Sequence, residues 1–419
     1  SFKSLFNKLF LKMFYNLFIK ILLVFIRILS LFFKKYKIFL KTREGIIELI
    51  QNKFSKNDPV LWFHCASLGE FEQARPLIEE VKIKYTKHKI LLTFFSSSGY
   101  DIQKKYELVD CVSYIPFDLK KDINLFLDQF DLKALFLIKY EFWPELINQI
   151  NKRKIKIYSI SSIFRKKQVF FKFYGFMYLK VLKKITHFFV QDIESKNLLN
   201  YHQFKNTKVI GDTRLDRVLK IKNSIKKIKQ ISDFKSSKRC IVFGSTWDED
   251  HDLILKKINS LKNIKIIIAP HKIDINTINQ LTKKLKINYL KLSNYDSSKN
   301  SKSNLLIVDY IGLLSTIYSY ADIAYVGGGM STRGLHNTME PAVFKIPIII
   351  GKNYQNFNEA KDLVKAGGIL SVKSTNDFNK KIDLLLSNKK KREELGEINY
   401  NYIKLNSGAT KKVLNKIKI

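Results

Sequence analysis

The sequence predicts an α/β protein: two Rossmann-like halves, each a doubly wound parallel sheet, facing a shared cleft and preceded by a membrane-associated helix. Three observations carry this. Short β-branched runs alternate with amphipathic segments along most of the 419 residues, as expected of strands covered on both faces by crossover helices. The alternation stops at a polar, lysine-rich stretch, 211–237, and then restarts. Residues 5–33 are strongly apolar but carry cations at intervals.

The amino-terminal segment comes first. At ~100° per residue, Lys8, Lys12, Asn16, Lys20, Arg27, Ser30 and Lys34 share roughly a third of a helix circumference. Lys12, Lys20 and Arg27 cut the run short of the ~20 apolar residues a spanning helix needs. An interfacial helix is expected, with lysines on lipid phosphates and apolar stems in the acyl boundary; a strained membrane span and a helix buried against the domain are the alternatives. Lys34, Lys35, Lys37 and Lys41 then sit on the cytoplasmic side. A signal peptide carries its charge before the apolar core, not through it.

In the first half, strands are expected at 60–66, 90–94, 111–115, 134–138, 155–160 and 188–191, with helices after Glu70, Gly99, Asp122, Pro144 and Asp192. In the second they fall at 240–244, 265–269, 305–308, 323–326 and 346–350. Residues 292–304, rich in Ser, Asn and Lys, read as a surface loop. The domains are therefore 1–40 (helix), 41–211 and 212–419.

Composition narrows the functional classes. A 46% hydrophobic chain excludes wholesale disorder. Cys65, Cys111 and Cys240 form no CxxC or Cys/His ligand pattern, so a reduced protein without a structural zinc site is expected. The net charge of +38 fits nucleic acid, an anionic membrane or an acidic substrate. Lysine is spread through an Ile-, Asn-, Phe- and Tyr-rich chain without dense basic blocks, so no nucleic-acid partner is expected.

Chemistry is sought where strands turn into helices. The first turn is His64-Cys65-Ala66-Ser67-Leu68-Gly69-Glu70. Glu70 there serves either as a base toward a hydroxyl nucleophile or as a favourable charge at a helix start. Core packing explains His64 and Cys65 better than metal binding. The second turn, Lys139-Tyr140-Glu141-Phe142-Trp143-Pro144, puts Pro144 at a first helical position and Glu141 as a ligand contact or a cap. The third runs from Gly327 to Pro341; its three glycines let backbone N–H groups approach an anion. A helix starting near Glu340 would aim at a phosphate, with Glu340 on ribose hydroxyls; a Gly-rich turn with a capping Glu is the alternative. Gly244-Ser245-Thr246, Ala269-Pro270-His271-Lys272 and Asn356-Phe357-Asn358-Glu359 occupy the same register at strand ends.

Together these segments resemble the bacterial 3-deoxy-D-manno-octulosonic acid (Kdo) transferases. Tyr15-Asn16-Leu17, Ser67-Leu68-Gly69-Glu70, Glu141-Phe142-Trp143-Pro144, Gly327 through Pro341, and Asn356, Phe357 and Glu359 match the family pattern in order. The resemblance implies GT-B architecture, a CMP-Kdo donor, a lipid A precursor (lipid IVA) as acceptor, inversion at the anomeric carbon, and neither metal nor cofactor. It also implies the cytoplasmic face of the inner membrane and its anionic lipids. By motif, Glu70 would be the general base, with Glu141 on the acceptor side. Gly328, Arg333, Asn337 and Glu340 would bind the CMP portion, Asn356 and Glu359 nearby, and His271 and Lys272 would supply basic groups beside Ser245. The sequence departs from the family at Lys139, at His271-Lys272 and at Ser161-Ser162-Ile163, where Arg165 and the lysines after it, Lys166 and Lys167, would stand in for the phosphate contacts. Residues before Met13 read as an upstream extension or a misplaced start. A GT-B enzyme using a UDP-sugar (transferase or epimerase) and a non-catalytic basic coat protein are the alternatives; carboxylates at two strand-end turns oppose the latter.

Overall fold

The computed structural model describes residues 2–172, 175–296 and 303–419, with residues 2–14 and Met177 described by their backbone alone. In the first unit, β1 (Pro59–Cys65), β2 (Lys89–Phe94), β3 (Cys111–Tyr114), β4 (Asp131–Ile138), β5 (Lys156–Ser162), β6 (His187–Val190) and β7 (Thr207–Val209) form one sheet. Its order is β3-β2-β1-β4-β5-β6-β7, every pair parallel. Strand alternation explains the continuous apolar runs. Val60 and Trp62 enter the core on one face, Leu61, Phe63 and Cys65 the core on the other, so a central strand has no polar side. Phe63, Phe136 and Tyr158 stack across β1, β4 and β5 at 4.5 and 5.4 Å, each pair adding roughly 0.5–1.5 kcal/mol beyond burial.

The second unit repeats the plan with β8 (Cys240–Thr246), β9 (Lys265–Pro270), β10 (Tyr289–Lys291), β11 (Leu305–Ile307), β12 (Ile323–Val326), β13 (Ile348–Gly351) and β14 (Ile369–Val372). The order is β10-β11-β9-β8-β12-β13-β14, again parallel throughout. The strands not anticipated are β7, β10 and β14. They are outer strands of three or four residues, too short to show a run, and Lys208 and Lys291 interrupt two of them. The stretch 211–237 carries two helices, Thr213–Ser224 and Lys229–Lys235. The expected loop at 292–304 begins with a 3₁₀ turn, Leu292–Asn294; residues 297–302 lie outside the described ones.

The units are residues 1–216 with 408–419, and residues 217–407. The expected division at 211/212 is therefore corrected at the carboxyl end. Ala409, Val413 and Ile417, spaced four residues apart on one helical face, bury in the first unit's core. Asp216 caps that helix, accepting from the Gly408 and Thr410 N–H groups at 2.5 and 2.7 Å.

The amino-terminal helix, Phe2–Phe32, is continuous; Lys20 and Arg27 do not break it. Tyr15–Phe32 is long and apolar enough, by length and composition, to cross a membrane. The structure divides the expected cationic stripe. Leu23 is buried, the Tyr15 hydroxyl donates to Asp118 at 2.7 Å and Asn16 Nδ2 to Glu145 at 3.4 Å, so this side of the helix is seated on its own unit. Lys20 and Arg27 are exposed at its edge, and the side chains of Lys8 and Lys12 lie outside the described ones. Leu17, Phe18, Ile21, Val24, Phe25, Ile28, Leu31 and Phe32 are each more than half exposed.

Candidate active site

In the first sheet β1 lies between β2 and β4, so the chain order reverses at the carboxyl ends of β1 and β4, where open α/β sheets bind ligands. After β1, extended Ser67 precedes the helix Leu68–Lys84, and Glu70 in its first turn folds back to accept the Ala66 N–H. Glu70 is 9% exposed. Burial first, and then the charge of Glu141, raise its pKa to about 7; the Ala66 N–H and Lys139 oppose them.

Glu141 follows β4. The Trp143 indole N–H donates to its Oε2 at 2.9 Å, and His64 Nε2 lies 3.3 Å from the same oxygen. Glu141 does not cap the next helix, Pro144–Lys152. That role falls to Asp118, which accepts from the Glu145 and Leu146 N–H groups at 2.9 and 2.7 Å. Burial pushes the Asp118 carboxyl up to about 6. His64 was expected merely to pack in the core; it is fully buried but joins Glu141 to Thr93. Arg165, after β5, is exposed and paired with Tyr140, the neighbour of Glu141. Lys139 and Ser161, at the ends of β4 and β5, have φ of +57° and +53°, a left-handed backbone that is strained for non-glycine residues.

In the second sheet the reversal lies between β8 and β12. Ser245 near the end of β8 is also left-handed (φ +53°). It is followed by Trp247, which the sequence reading missed. The Trp247 ring stacks on His271 with centroids 4.5 Å apart, and His271 stacks on His336 at 4.3 Å. The Trp247 indole N–H donates to His336 Nε2 at 2.9 Å. Burial and then His271 lower the His336 pKa to about 4, consistent with an unprotonated acceptor. Arg333 and Lys272 lie over the indole at 4.5 and 5.6 Å; Arg333 also pairs with Glu249 at 3.4 Å. The adjacent His271 and Lys272 and the sequence-distant Arg333 thus meet around one ring.

The glycine-rich turn departs from expectation. Gly328 is left-handed (φ +88°), but its N–H is already held by Asp250 Oδ2 at 2.9 Å. Asp250 also accepts from the Trp247 N–H at 2.9 Å and the Tyr325 hydroxyl at 2.6 Å. A Cβ on Gly327 would sit 2.4 Å from the Ser245 carbonyl, and one on Gly329 2.9 Å from the Gly351 nitrogen. These two glycines accommodate the chain's own backbone. The expected helix near Glu340 is four residues, Met339–Ala342, and Asn337 Oδ1 accepts its Met339 N–H at 3.1 Å. Glu340 accepts from Ser315 at 2.8 Å and Asn337 at 3.1 Å; burial raises its pKa, while Ser315 and Arg217 oppose this. Asn356 is exposed in the turn after β13, and Glu359 is buried at the start of the helix Asn358–Lys365, outside the Trp247 stack.

Asp250 and Trp247 had a faint sequence signal. An acid at the third helical position after a strand end, in Trp247-Asp248-Glu249-Asp250, is the spacing that lets a carboxylate reach back to the N-cap amide.

Residues 40–217 match the family described as 3-deoxy-D-manno-octulosonic-acid transferase (kdotransferase). The chain is 29% identical to the 3-deoxy-D-manno-octulosonic acid transferase of Haemophilus influenzae, covering 95% of each protein. It is 30% identical to a bifunctional glycosyltransferase/methyltransferase of Fusobacterium nucleatum, over 91% of this chain but only 60% of that protein's length. In fold it is similar to the UDP-GlcNAc 2-epimerase of Neisseria meningitidis bound to UDP-GlcNAc, with a TM-score of 0.61 at 16% identity, covering 85% of this chain and 98% of that one. The architecture is GT-B. Residues 40–217 carry the domain of the Kdo transferase family, the chain is similar to a Kdo transferase over nearly its whole length, and it is a glycosyltransferase.

Proposed function

We propose that this glycosyltransferase moves Kdo from CMP-Kdo to a lipid A precursor, lipid IVA, in lipopolysaccharide assembly, with Glu70 as the general base. The observation that carries the reading is a carboxylate at the first sheet's reversal point whose pKa, about 7, suits proton abstraction at neutral pH. The acceptor's primary hydroxyl gives its proton to Glu70 as its oxygen bonds to the anomeric carbon. The bond from that carbon to the CMP phosphate oxygen breaks on the opposite face. CMP leaves with the electron pair and the anomeric centre inverts. Glu141, with Arg165 nearby, supports the acceptor. Ser245, His271, Lys272 and Arg333 hold the donor together with Asn337, Glu340, Asn356 and Glu359, while Gly328, whose N–H Asp250 holds, shapes the glycine-rich turn. The cations Lys272 and Arg333 offset the charge gathering on the departing phosphate.

The outward apolar side of the amino-terminal helix supports attachment to the inner membrane at its cytoplasmic face. There Lys34, Lys35, Lys37 and Lys41, all exposed, meet anionic lipids. The test is mass spectrometry of lipid IVA incubated with the protein, Kdo, CTP and the synthetase that makes CMP-Kdo. The expected result is lipid IVA heavier by whole Kdo units with CMP released. An unmodified acceptor, with the fold stabilised by UDP and not by CMP, would overturn the donor assignment.

A further inference from the structure

Behind Glu141 lies a buried chain of hydrogen bonds in which every proton can be assigned. Trp62 and His64 point to the same face of β1, and His64 is paired in register with Thr93 of β2. All three are fully buried. The Trp62 indole N–H, which can only donate, reaches Thr93 Oγ1 at 2.7 Å. His64 Nδ1 lies 2.9 Å from the same oxygen. Thr93 therefore has one donor pressed on it and one proton of its own to place. Among the described residues His64 Nδ1 is the only acceptor in reach of that hydroxyl. If His64 carried its proton on Nδ1, the Thr93 O–H would be buried without a partner, which native structures avoid. The Thr93 hydroxyl donates to Nδ1, and the imidazole proton sits on Nε2, aimed at Glu141 Oε2 3.3 Å away.

The other end of the chain is equally directional. The Trp143 N–H arrives at that same Oε2 at 2.9 Å, so two donors converge on one oxygen of Glu141. Its Oε1 has no hydrogen-bond partner among the described residues, and the side chain keeps 14% of its surface exposed.

We propose that Thr93 and His64 are positioning residues: the Thr93 hydroxyl fixes His64 as its Nε2–H tautomer, which with Trp143 pins one oxygen of Glu141 and leaves the other to accept from a sugar hydroxyl of the acceptor. This rests on the transferase reading for what Oε1 meets, but not for the tautomer. A fixed imidazole orients a carboxylate as an outer-shell group orients a ligand. Its loss removes alignment without removing the carboxylate.

The test uses the full-length protein labelled with ¹⁵N-histidine, at neutral pH, with the His64 signal assigned by its disappearance in His64→Gln. The expected spectrum shows a pyridine-like Nδ1 and a pyrrole-like Nε2. Thr93→Ser keeps this pattern; Thr93→Val, nearly isosteric, loses it. In transfer assays Thr93→Val should lower kcat/KM for the acceptor roughly 10- to 100-fold, with Thr93→Ser close to wild type and CMP affinity unchanged in both. A pyrrole-like Nδ1, or a ring protonated on both nitrogens, overturns the proposal whatever the activity. Wild-type kinetics in Thr93→Val overturn the positioning role. Absence of any Kdo transfer, with the tautomer as expected, contradicts the function and leaves the tautomer assignment intact.

Discussion

Glu70 and Asp250 occupy the same place in the two halves. Each is the third residue of the helix that follows the central strand at which the sheet order reverses, and each reaches back to an amide at that helix's start. Their surroundings differ. Asp250 receives three hydrogen bonds, from Trp247, Gly328 and Tyr325, and so ties the glycine-rich turn to β8 and β12. Glu70 has the Ala66 N–H and a second carboxylate, Glu141, acting against its ionisation. One scaffold position thus yields a brace in one half and, in the proposed mechanism, a base in the other. Burial and a neighbouring carboxylate push both carboxyls up, Glu141 beside Glu70 and Glu249 beside Asp250; what differs is how many donors converge on the acid.

The comparison is broken most forcefully by Glu70→Gln. Transfer should fall by roughly 10²- to 10⁴-fold, the range for a lost general base, while CMP binding survives. Stability should move the other way. A carboxyl whose folded pKa is near 7 rather than the ordinary 4.5 binds its proton more tightly when folded, so stability falls as pH rises from about 4.5 to about 7. Above pH 7 the full penalty applies, on the order of 3 kcal/mol, and Gln removes it. A higher melting temperature for Glu70→Gln at pH 8 than for wild type is the expected result; a lower one means that Glu70 is a structural acid like Asp250.

Asp250→Asn should show the reverse. Its amide presents a donor to N–H groups that need an acceptor, so denaturation should show a loss of about 1–3 kcal/mol. CMP affinity should fall with it as the Gly328 turn loosens. An unchanged melt would remove Asp250 from the role of brace.

The smallest effect sharpens the same distinction with a third acid. Asp118 caps the helix leading away from Glu141 and also receives the Tyr15 hydroxyl. Tyr15→Phe should cost about 1–2 kcal/mol while binding to anionic vesicles stays unchanged, because the outward apolar residues are untouched. Weakened vesicle binding would mean that Tyr15 serves the lipid side of the helix.

How much of this was legible follows from what each feature depends on. Central strands such as β1 and β4 announce themselves because both faces are buried, whereas β7 and β10 are outer strands interrupted by lysines. Glu70 and Glu141 could be picked out because a strand end places them by sequence position alone. The Trp62–Thr93–His64 chain could not: His64 and Thr93 are 29 residues apart and meet only through the register of β1 with β2. The role of the glycines was anticipated in kind but not in detail. Their missing side chains do admit close approach, but that of the Ser245 carbonyl and of Gly351, while Asp250 takes the Gly328 N–H. The amino-terminal helix was legible as amphipathic, but periodicity does not say which side of a helix its own domain will cover.

The central claim is that burial and the charge of Glu141 tune Glu70 into a neutral-range base. The pH dependence of kcat/KM for Kdo transfer, measured for wild type beside Glu141→Gln, tests it most directly, because its acid limb reports the free enzyme's base. The wild-type limb should lie near pH 7 and move to lower pH once the neighbouring charge is removed. A wild-type limb at ordinary carboxylate pH, or one that Glu141→Gln leaves in place, would contradict it.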